Sequence, residues 1–536
     1  MPTTVMQPVD TVTLDLGPRG KLNGVVFSNG VKRFTHIPYA RSPVQSRRWK
    51  KPERLPEDHV YGNDGPLDCT KYGNVCPQPE YIINGKSMIN TDYNFDEDCL
   101  AVNLWLPAGD PPHSGWPILA WIHGGWLQIG DPSLKEHTQP TQLVAEGGLQ
   151  AIVVSIGYRL NIFGFLAGKG LNGNFGFWDQ RCALEWLQDY AQLFGGDPKR
   201  VTLGGLSAGA FSAHVQLNHE LFHAEDQKPL FSNVWLQSNA IPAQPKTLDE
   251  VDGQLQNVFS TFEIAESLAL EEKLDRLREV PASALVKKIF DFDIHTFRGV
   301  TDNEMISSEL VSNIHSGAFA ERFKRRGIRI LLGEAETEEV LYALTNPPPT
   351  SASKDMLHEL NNYYALPVCK SLLSLYTAEG PTADPRTKSA VAEKDDSEKA
   401  KRLFGLITSD VQVRAPIRIL SKALYSGGVS PDNILRYRVA YRPDCTDKVY
   451  PKSFGVTHGA DGMSWWYIER YGFSDQDKHH IKAWLSQTLI PLVTGSDLGK
   501  ARLGMDKFLY FEESGKVEVA ADVHWDWLMR VAEKLN

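Results

Sequence analysis

The sequence predicts an α/β fold: a mainly parallel central sheet flanked by helices, with helical cap insertions, within 536 residues. Three observations predict it. Short uninterrupted apolar runs alternate with segments of helical period, the pattern of strands buried on both faces and joined by crossover helices. A Gly-x-Ser-x-Gly turn at Gly205, Ser207 and Gly209 lies between one such run and a helix-like stretch. No internal repeat and no long linker divides the chain, so residues 1–536 read as a single domain.

The elements follow in order. Residues 11–35 alternate apolar and polar side chains, as hairpin strands do, with Gly and Asn between the runs. Residues 117–122 and 151–156 are apolar runs that predict strands buried on both faces. Asp179 and Gln180 open a helix carrying Ala183, Leu184, Leu187, Tyr190 and Leu193 at helical spacing, and Gly195, Gly196 and Pro198 end it. Residues 201–203 and 328–332 are further strands. Two polar, helix-rich regions, roughly 245–325 and 350–425, interrupt the alternation and read as cap insertions over a site. Within the second, residues 378–401 read as a mobile surface loop running into a helix.

Composition narrows the function classes. A net charge of −10 argues against nucleic acid as a partner, because phosphate binding needs a basic surface. Two basic runs, at 47–51 and 324–326, read as solvated faces. No stretch has the length and apolarity of a membrane span. Residues 1–16 lack a signal-peptide pattern, and no Asn-x-Ser/Thr sequon occurs, so a cytoplasmic protein is expected unless the N-terminus has been trimmed. Six cysteines are too few for a disulfide scaffold in so long a chain, and no metal-ligand spacing is present, so no metal or cofactor is expected.

Gly205-x-Ser207-x-Gly209 carries the chemistry. At a sharp strand-to-helix turn the serine is forced into strained backbone angles, and a side chain two residues to either side would clash. The hydroxyl is presented to solvent, with a helix N-terminus behind it that favours negative charge. The bland alternative is a strand-to-helix turn with no chemistry.

Several segments together resemble the type-B carboxylesterase/lipase family, the cholinesterase-like branch of the α/β-hydrolases. They are Ile37–Arg41, Glu97–Leu104, Tyr158–Leu160 with Phe163–Leu166, Gly173–Gly176 with Asp179-Gln180, and Phe194–Pro198, in order along the chain. The resemblance runs from about residue 16 to residue 500. It implies an α/β-hydrolase fold and a cofactor-independent serine hydrolase that cleaves carboxylic esters through an acyl-enzyme. Ser207 would be the nucleophile. His458, between Val456-Thr457 and Gly459, resembles the family's catalytic histidine loop, whereas His123 precedes Ser207 and breaks the order serine, acid, histidine. The acid lies among Glu334, Glu336, Glu338 and Glu339, and the family's spacing from Gly333 lands on Glu338. Glu339 replaces the glycine that usually follows, so Glu336 and Glu339 stay open as alternatives, and the carboxylates not used read as solvated surface groups. The oxyanion donors implied are the N–H of Ala208 and those of Gly124, Gly125 and Trp126.

Departures from the family bear on substrate. Trp126 stands where relatives usually carry a third glycine and is expected to narrow the pocket. Leu206 replaces a common Glu beside the serine; Asn239 and Trp465 are further pocket candidates. The loop from Cys76 to Cys99 has no Trp for cation–π binding, which disfavours a choline ester. Cys76 and Cys99 match the positions of a family disulfide. The expected partner is a small, apolar or aromatic ester, with no nucleic acid or membrane span, and the chain is expected to be a monomer or homodimer. An acyltransferase or lactone hydrolase on the same machinery, and a non-catalytic interaction protein of cholinesterase-like fold, are the alternatives.

Overall fold

The computed structural model describes residues 6–62, 64–83, 86–88, 93–133, 139–378, 384–498 and 503–535. The strands that build the central sheet are β1 (Pro8–Asp15), β2 (Lys21–Phe27), β3 (Lys32–Pro38), β4 (Ala101–Leu106), β5 (Trp116–Ile122), β6 (Ile152–Ile156), β7 (Gly196–Leu206), β8 (Asn233–Gln237), β9 (Arg329–Ala335), β10 (Ile434–Val439), β11 (Lys507–Phe511) and β12 (Val517–Ala521). Their order is β1-β2-β3-β4-β6-β5-β7-β8-β9-β10-β11-β12, and a two-residue strand, Leu67–Asp68, pairs with β2. The strands from β6 to β11 run parallel. Antiparallel pairs close both ends: β1 to β4 and β6 on one side, β11–β12 on the other. This is the α/β sheet the sequence predicts.

The parallel strands are Val-, Ile- and Leu-rich because helices cover both faces. Every residue of β6 and β8 is buried. On one face lie α1 (Phe175–Tyr190) and α2 (Ala208–Phe222). The other is covered by an aromatic layer in which Trp121, Trp235, Trp465, Trp466 and Trp484 pack in sequence. Helix α1 begins at Phe175, four residues before the predicted Asp179. Asn174 takes a left-handed conformation (φ 55°) ahead of it, and its side-chain amide bonds both the N–H and the carbonyl of Val300. Asp179 caps nothing; its carboxylate is fully buried against Arg159, at 2.7 and 2.6 Å.

Residues 245–325 fold as helices Leu248–Thr261, Leu270–Arg278, Ala282–Lys288, Leu310–Ser316 and Ala318–Arg325. Between 350 and 425 a second helical layer includes Asp396–Ser409, which passes through a π-turn at Asp410–Arg414 into Ala415–Ser426. The expected mobile loop at 378–401 falls partly outside the described residues, at 379–383. The rest is ordered: Pro385–Val391 is helical, and Arg386 is held by Asp384 and Asp410. No helix among the described residues is long and apolar enough to cross a membrane.

The basic run at 47–51 is solvated only in part: Lys50 and Lys51 are exposed and Arg47 partly so, but its centre is buried. Arg48 is buried, pairs with Glu97 and donates to the carbonyl of Val280, while Trp49 gives its indole N–H to Ile162. Glu334 is likewise no surface carboxylate. It accepts from Arg418 at 2.7 Å and Arg438 at 2.6 Å, and Arg418 and Arg436 also grip Asp522, at 2.9 and 2.7 Å. This buried network ties β9, β10 and the residue after β12 to the helix Ala415–Ser426.

Removing one partner from such a network leaves an uncompensated buried charge, at a cost of about 3–5 kcal/mol. Asp522→Asn is therefore expected to lower the free energy of unfolding by about that amount in urea titration. Glu393→Gln, at the partly exposed Arg402–Glu393 pair, is expected to stay within about 0.5 kcal/mol of the parent chain.

Candidate active site

The strand β7 ends between β5 and β8, with Gly205 level with Ile122 and Leu206 level with Gln237. The order of strands reverses at β5 and β6, and ligands of open α/β sheets bind at the carboxyl ends of strands near such a switch. Ser207 follows β7 at φ 58° and ψ −123°, a conformation that costs a non-glycine residue about 1–3 kcal/mol. Its N–H donates to the Gln237 carbonyl at 2.8 Å, which holds the strain in place. The flanking glycines are required by contact. A Cβ on Gly205 would lie 2.3 Å from the Gly209 carbonyl carbon, and one on Gly209 would lie 2.0 Å from the Ile122 oxygen. Helix α2 thus starts in direct contact with the end of β5.

Glu338 and His458 come from loops after β9 and β10. Their contact is direct: His458 Nδ1 is 2.5 Å from Glu338 Oε2. The Glu338 carboxylate is fully buried, and Oε1 accepts from the Ser238 hydroxyl and the Ala335 N–H, both at 2.7 Å. The structure separates the four neighbouring carboxylates. Glu334 belongs to the buried arginine network, Glu339 pairs with Arg414 at 2.6 Å, and Glu336 is half-exposed and 3.9 Å from Arg438.

Two residues that the sequence did not single out join this cluster. Ser238, at φ 53° directly after β8, orients Glu338. Tyr342, on the short helix Glu339–Leu344, brings its hydroxyl to 3.5 Å from His458 Nε2 and also meets the Ser207 side chain. Burial, reinforced by the Glu338 charge, holds its hydroxyl far above the ordinary tyrosine range, so it stays a neutral donor. No local motif marks Tyr342; only its offset of four residues from Glu338 along a helical turn could have suggested it.

The loop after β5 faces the elbow. A Cβ on Gly124 would stand 2.7 Å from the Leu206 carbonyl and 3.2 Å from the Ser207 Cβ. Gly125, Trp126 and Leu127 take positive φ (111°, 58° and 66°), and the N–H groups of Gln128 and Ile129 close the turn on the Gly125 carbonyl. His123 lies beneath it, with Nδ1 2.9 Å from the Gly124 carbonyl and its ring stacked on Tyr158. Burial lowers the His123 pKa, so this ring is a neutral structural support. The Trp126 indole stacks on Tyr81, with centroids 5.9 Å apart, in an apolar cluster with Ile83, Ile129 and Leu341. Ala208 is the first residue of α2.

The remaining pocket candidates separate. Trp465 is a correction: its indole is fully buried behind the sheet between Trp235, Tyr437 and Trp484, and its N–H goes to Asp461 at 2.9 Å, so it lines no pocket. Leu206 sits against Gly459 in the His458 loop and packs with the aromatic layer. Asn239 is buried next to Ser238, and its Oδ1 has no partner among the described residues. Cys76 and Cys99 are buried neighbours carrying free thiols; a hydrogen bond with Cys76, then burial, raises the Cys99 pKa well above the ordinary value. Among the described residues no group of His, Cys, Asp or Glu could hold a metal ion.

The carboxylesterase family profile matches residues 9–494. An uncharacterized esterase/lipase of Schizosaccharomyces pombe is 37% identical over 532 residues, covering 97% of this chain and 96% of that protein. A carboxylic ester hydrolase of Gibberella moniliformis is 33% identical over 538 residues, covering 96% and 95%. The solved structure of a PNB esterase superposes with a TM-score of 0.72 at 23% identity, over 98% of this chain and all of that one.

Asp461, three residues after His458, offers a test of the electrostatics of this cluster. Burial, then the charge of Glu338, raises its pKa from 3.8 to about 7. A buried acid with a raised pKa binds its proton more tightly folded than unfolded, so its contribution is fully present below pH 3.8 and is lost as pH rises to about 7. Asp461→Asn is expected to remove this decline: its melting temperature should exceed that of the parent chain by several degrees at pH 8, and the two should converge near pH 4.

Proposed function

The chain belongs to the carboxylesterase family and is a carboxylic ester hydrolase acting on small-molecule esters; from that premise we propose that Ser207, His458 and Glu338 form its catalytic triad. The observation that carries this reading is the 2.5 Å contact between His458 Nδ1 and the buried Glu338 carboxylate, beside a serine strained at φ 58°. Glu338 fixes the tautomer with the proton on Nδ1, which leaves Nε2 free to act as a base. The Ser207 oxygen attacks the ester carbonyl as its proton passes to Nε2. The tetrahedral oxyanion is held by the N–H groups of Ala208, Gly125 and Trp126, with Gly124 permitting the close approach. Imidazolium then protonates the departing alkoxide as the C–O bond breaks, leaving the acyl-serine. Water, deprotonated by Nε2, cleaves that intermediate, and the proton returns to Ser207 as acid is released. Glu338 holds the ring in place and stabilises the imidazolium.

Tyr342 supports this cycle as a positioning group: a neutral hydroxyl shared between Ser207 and Nε2 keeps both in register before substrate arrives. The cluster of Trp126, Tyr81, Ile83 and Leu341 supports an apolar wall beside the reacting carbonyl, which favours esters with an apolar or aromatic portion.

Ser207→Ala is expected to lower kcat by on the order of 10³-fold or more on any ester the protein cleaves. Glu338→Gln should also reduce kcat strongly, while Glu336→Gln should leave it within about twofold; equal losses at the two sites would assign the acid wrongly. Trp126→Gly relieves the positive φ and removes the indole, so kcat/KM should shift toward bulkier esters. A screen over acyl and alcohol sizes reads this directly, and an unchanged size profile would remove Trp126 from the pocket wall.

A further inference from the structure

Beside the elbow lies a small cavity of about 50 Å³ whose wall carries two cations and no carboxylate among the described residues. The cations are Arg298 and Lys246. Arg298 has no ion pair or hydrogen bond among the described residues; its guanidinium lies 5.9 Å from the ring centre of Phe211 and 5.3 Å from that of Tyr363. The Lys246 ammonium donates only to Asn361, at 2.5 Å to the carbonyl and 3.4 Å to the side chain. Asn362, also on the wall, keeps its Nδ2 buried without an acceptor, while its Oδ1 receives the His295 N–H at 3.1 Å. A cavity that gathers two cations and an unused amide donor lacks one thing, an anion.

The cavity adjoins the site just described through residues next to it rather than through the triad itself. Phe211 is one helical turn beyond Ser207 on α2. The adjacent residue to Arg298, Phe297, is clamped to the oxyanion loop: its carbonyl accepts from Gln128 Nε2 at 2.5 Å and its N–H donates to Gln128 Oε1 at 3.1 Å. Asn174 grips Val300 on the other side of Arg298. Tyr363 packs against the cluster that holds Trp126. The segment bearing Arg298 is therefore pinned at two points, and its position relative to Ser207 does not depend on a loose loop.

We propose that this cavity is a subsite for a carboxylate of the substrate, so that the enzyme prefers monoesters of short dicarboxylic acids. The inference rests on the triad reading, because it places the anion relative to a carbonyl attacked by Ser207. Arg298 provides the charge and a planar pair of donors suited to a carboxylate, and the rings of Phe211 and Tyr363 lie beside the guanidinium. Lys246 adds a second charge, and Asn362 a neutral donor. Glu250 acts on Lys246 from outside the cavity, and Glu359 lies near Tyr363 with its pKa raised by burial; neither is on the wall. Burial also lowers the Lys246 pKa, a shift that an arriving carboxylate would reverse.

The test compares 4-nitrophenyl hydrogen glutarate with neutral 4-nitrophenyl hexanoate. The ratio of their kcat/KM values should fall at least tenfold in Arg298→Met and recover in part in Arg298→Lys, with melting temperatures confirming that each variant is folded. An unchanged ratio, or a parent enzyme that favours the neutral ester, overturns the proposal. A second arm does not depend on turnover. Calorimetric titration of monoethyl glutarate into Ser207→Ala should show binding that weakens at least tenfold when Arg298→Met is added; no binding, or equal binding, overturns the subsite. Full activity of Ser207→Ala on both esters would instead overturn the triad, and the calorimetry would still decide the subsite.

Discussion

The close approach of backbone to backbone at residues 122, 205 and 209 is the constraint on which the site depends. Because Gly209 has no Cβ, the first turn of α2 can lie directly on the carbonyl of Ile122, and Ser207 is forced to positive φ between them. The same contact sets Gly124 against Leu206 and Ser207, so that the loop that would hold the oxyanion and the serine that would create it share one rigid junction. Preorganised donors of this kind need no rearrangement when charge develops, which is why fixed geometry is worth more here than extra contacts.

Buried charge does the second part of the work, and it does so in two separate systems. Glu334 is neutralised by arginines and welds β9 to β10, whereas Glu338, four residues on, has no guanidinium partner among the described residues and directs its charge to His458. Glu339 is occupied by Arg414 from the π-turn after the helix Asp396–Ser409. Glu334, Glu338 and Glu339 therefore each have a close partner of their own, and only Glu338 meets the histidine.

The chain's individuality lies in what surrounds the shared machinery. Trp126 accepts a strained φ at a place where glycine would be free, and its indole joins Tyr81 and Leu341 in an apolar wall. Next to that cluster, Phe211 and Tyr363 bring their rings to the guanidinium of Arg298. On the proposed carboxylate subsite, a cation beside an apolar wall would let the enzyme discriminate by charge as well as by size.

The sequence by itself determined the strand and helix alternation and the glycine-flanked turn at Ser207, because these are written in local period and in glycines whose need is steric and short-range; the order serine, acid, histidine came only through the family resemblance. It carried the fold class and the hairpins at 11–35 for the same reason. It reached Glu338 only through family spacing, since four carboxylates in six residues have no local property that tells them apart; the distance to a histidine 120 residues away does. Tertiary structure alone decided that Trp465 is core, that Arg48 and Glu334 are buried, and that Ser238 and Tyr342 belong to the site. In each case the deciding quantity is which distant residue fills the neighbouring space, and burial and pairing of that kind have no period for a sequence to display.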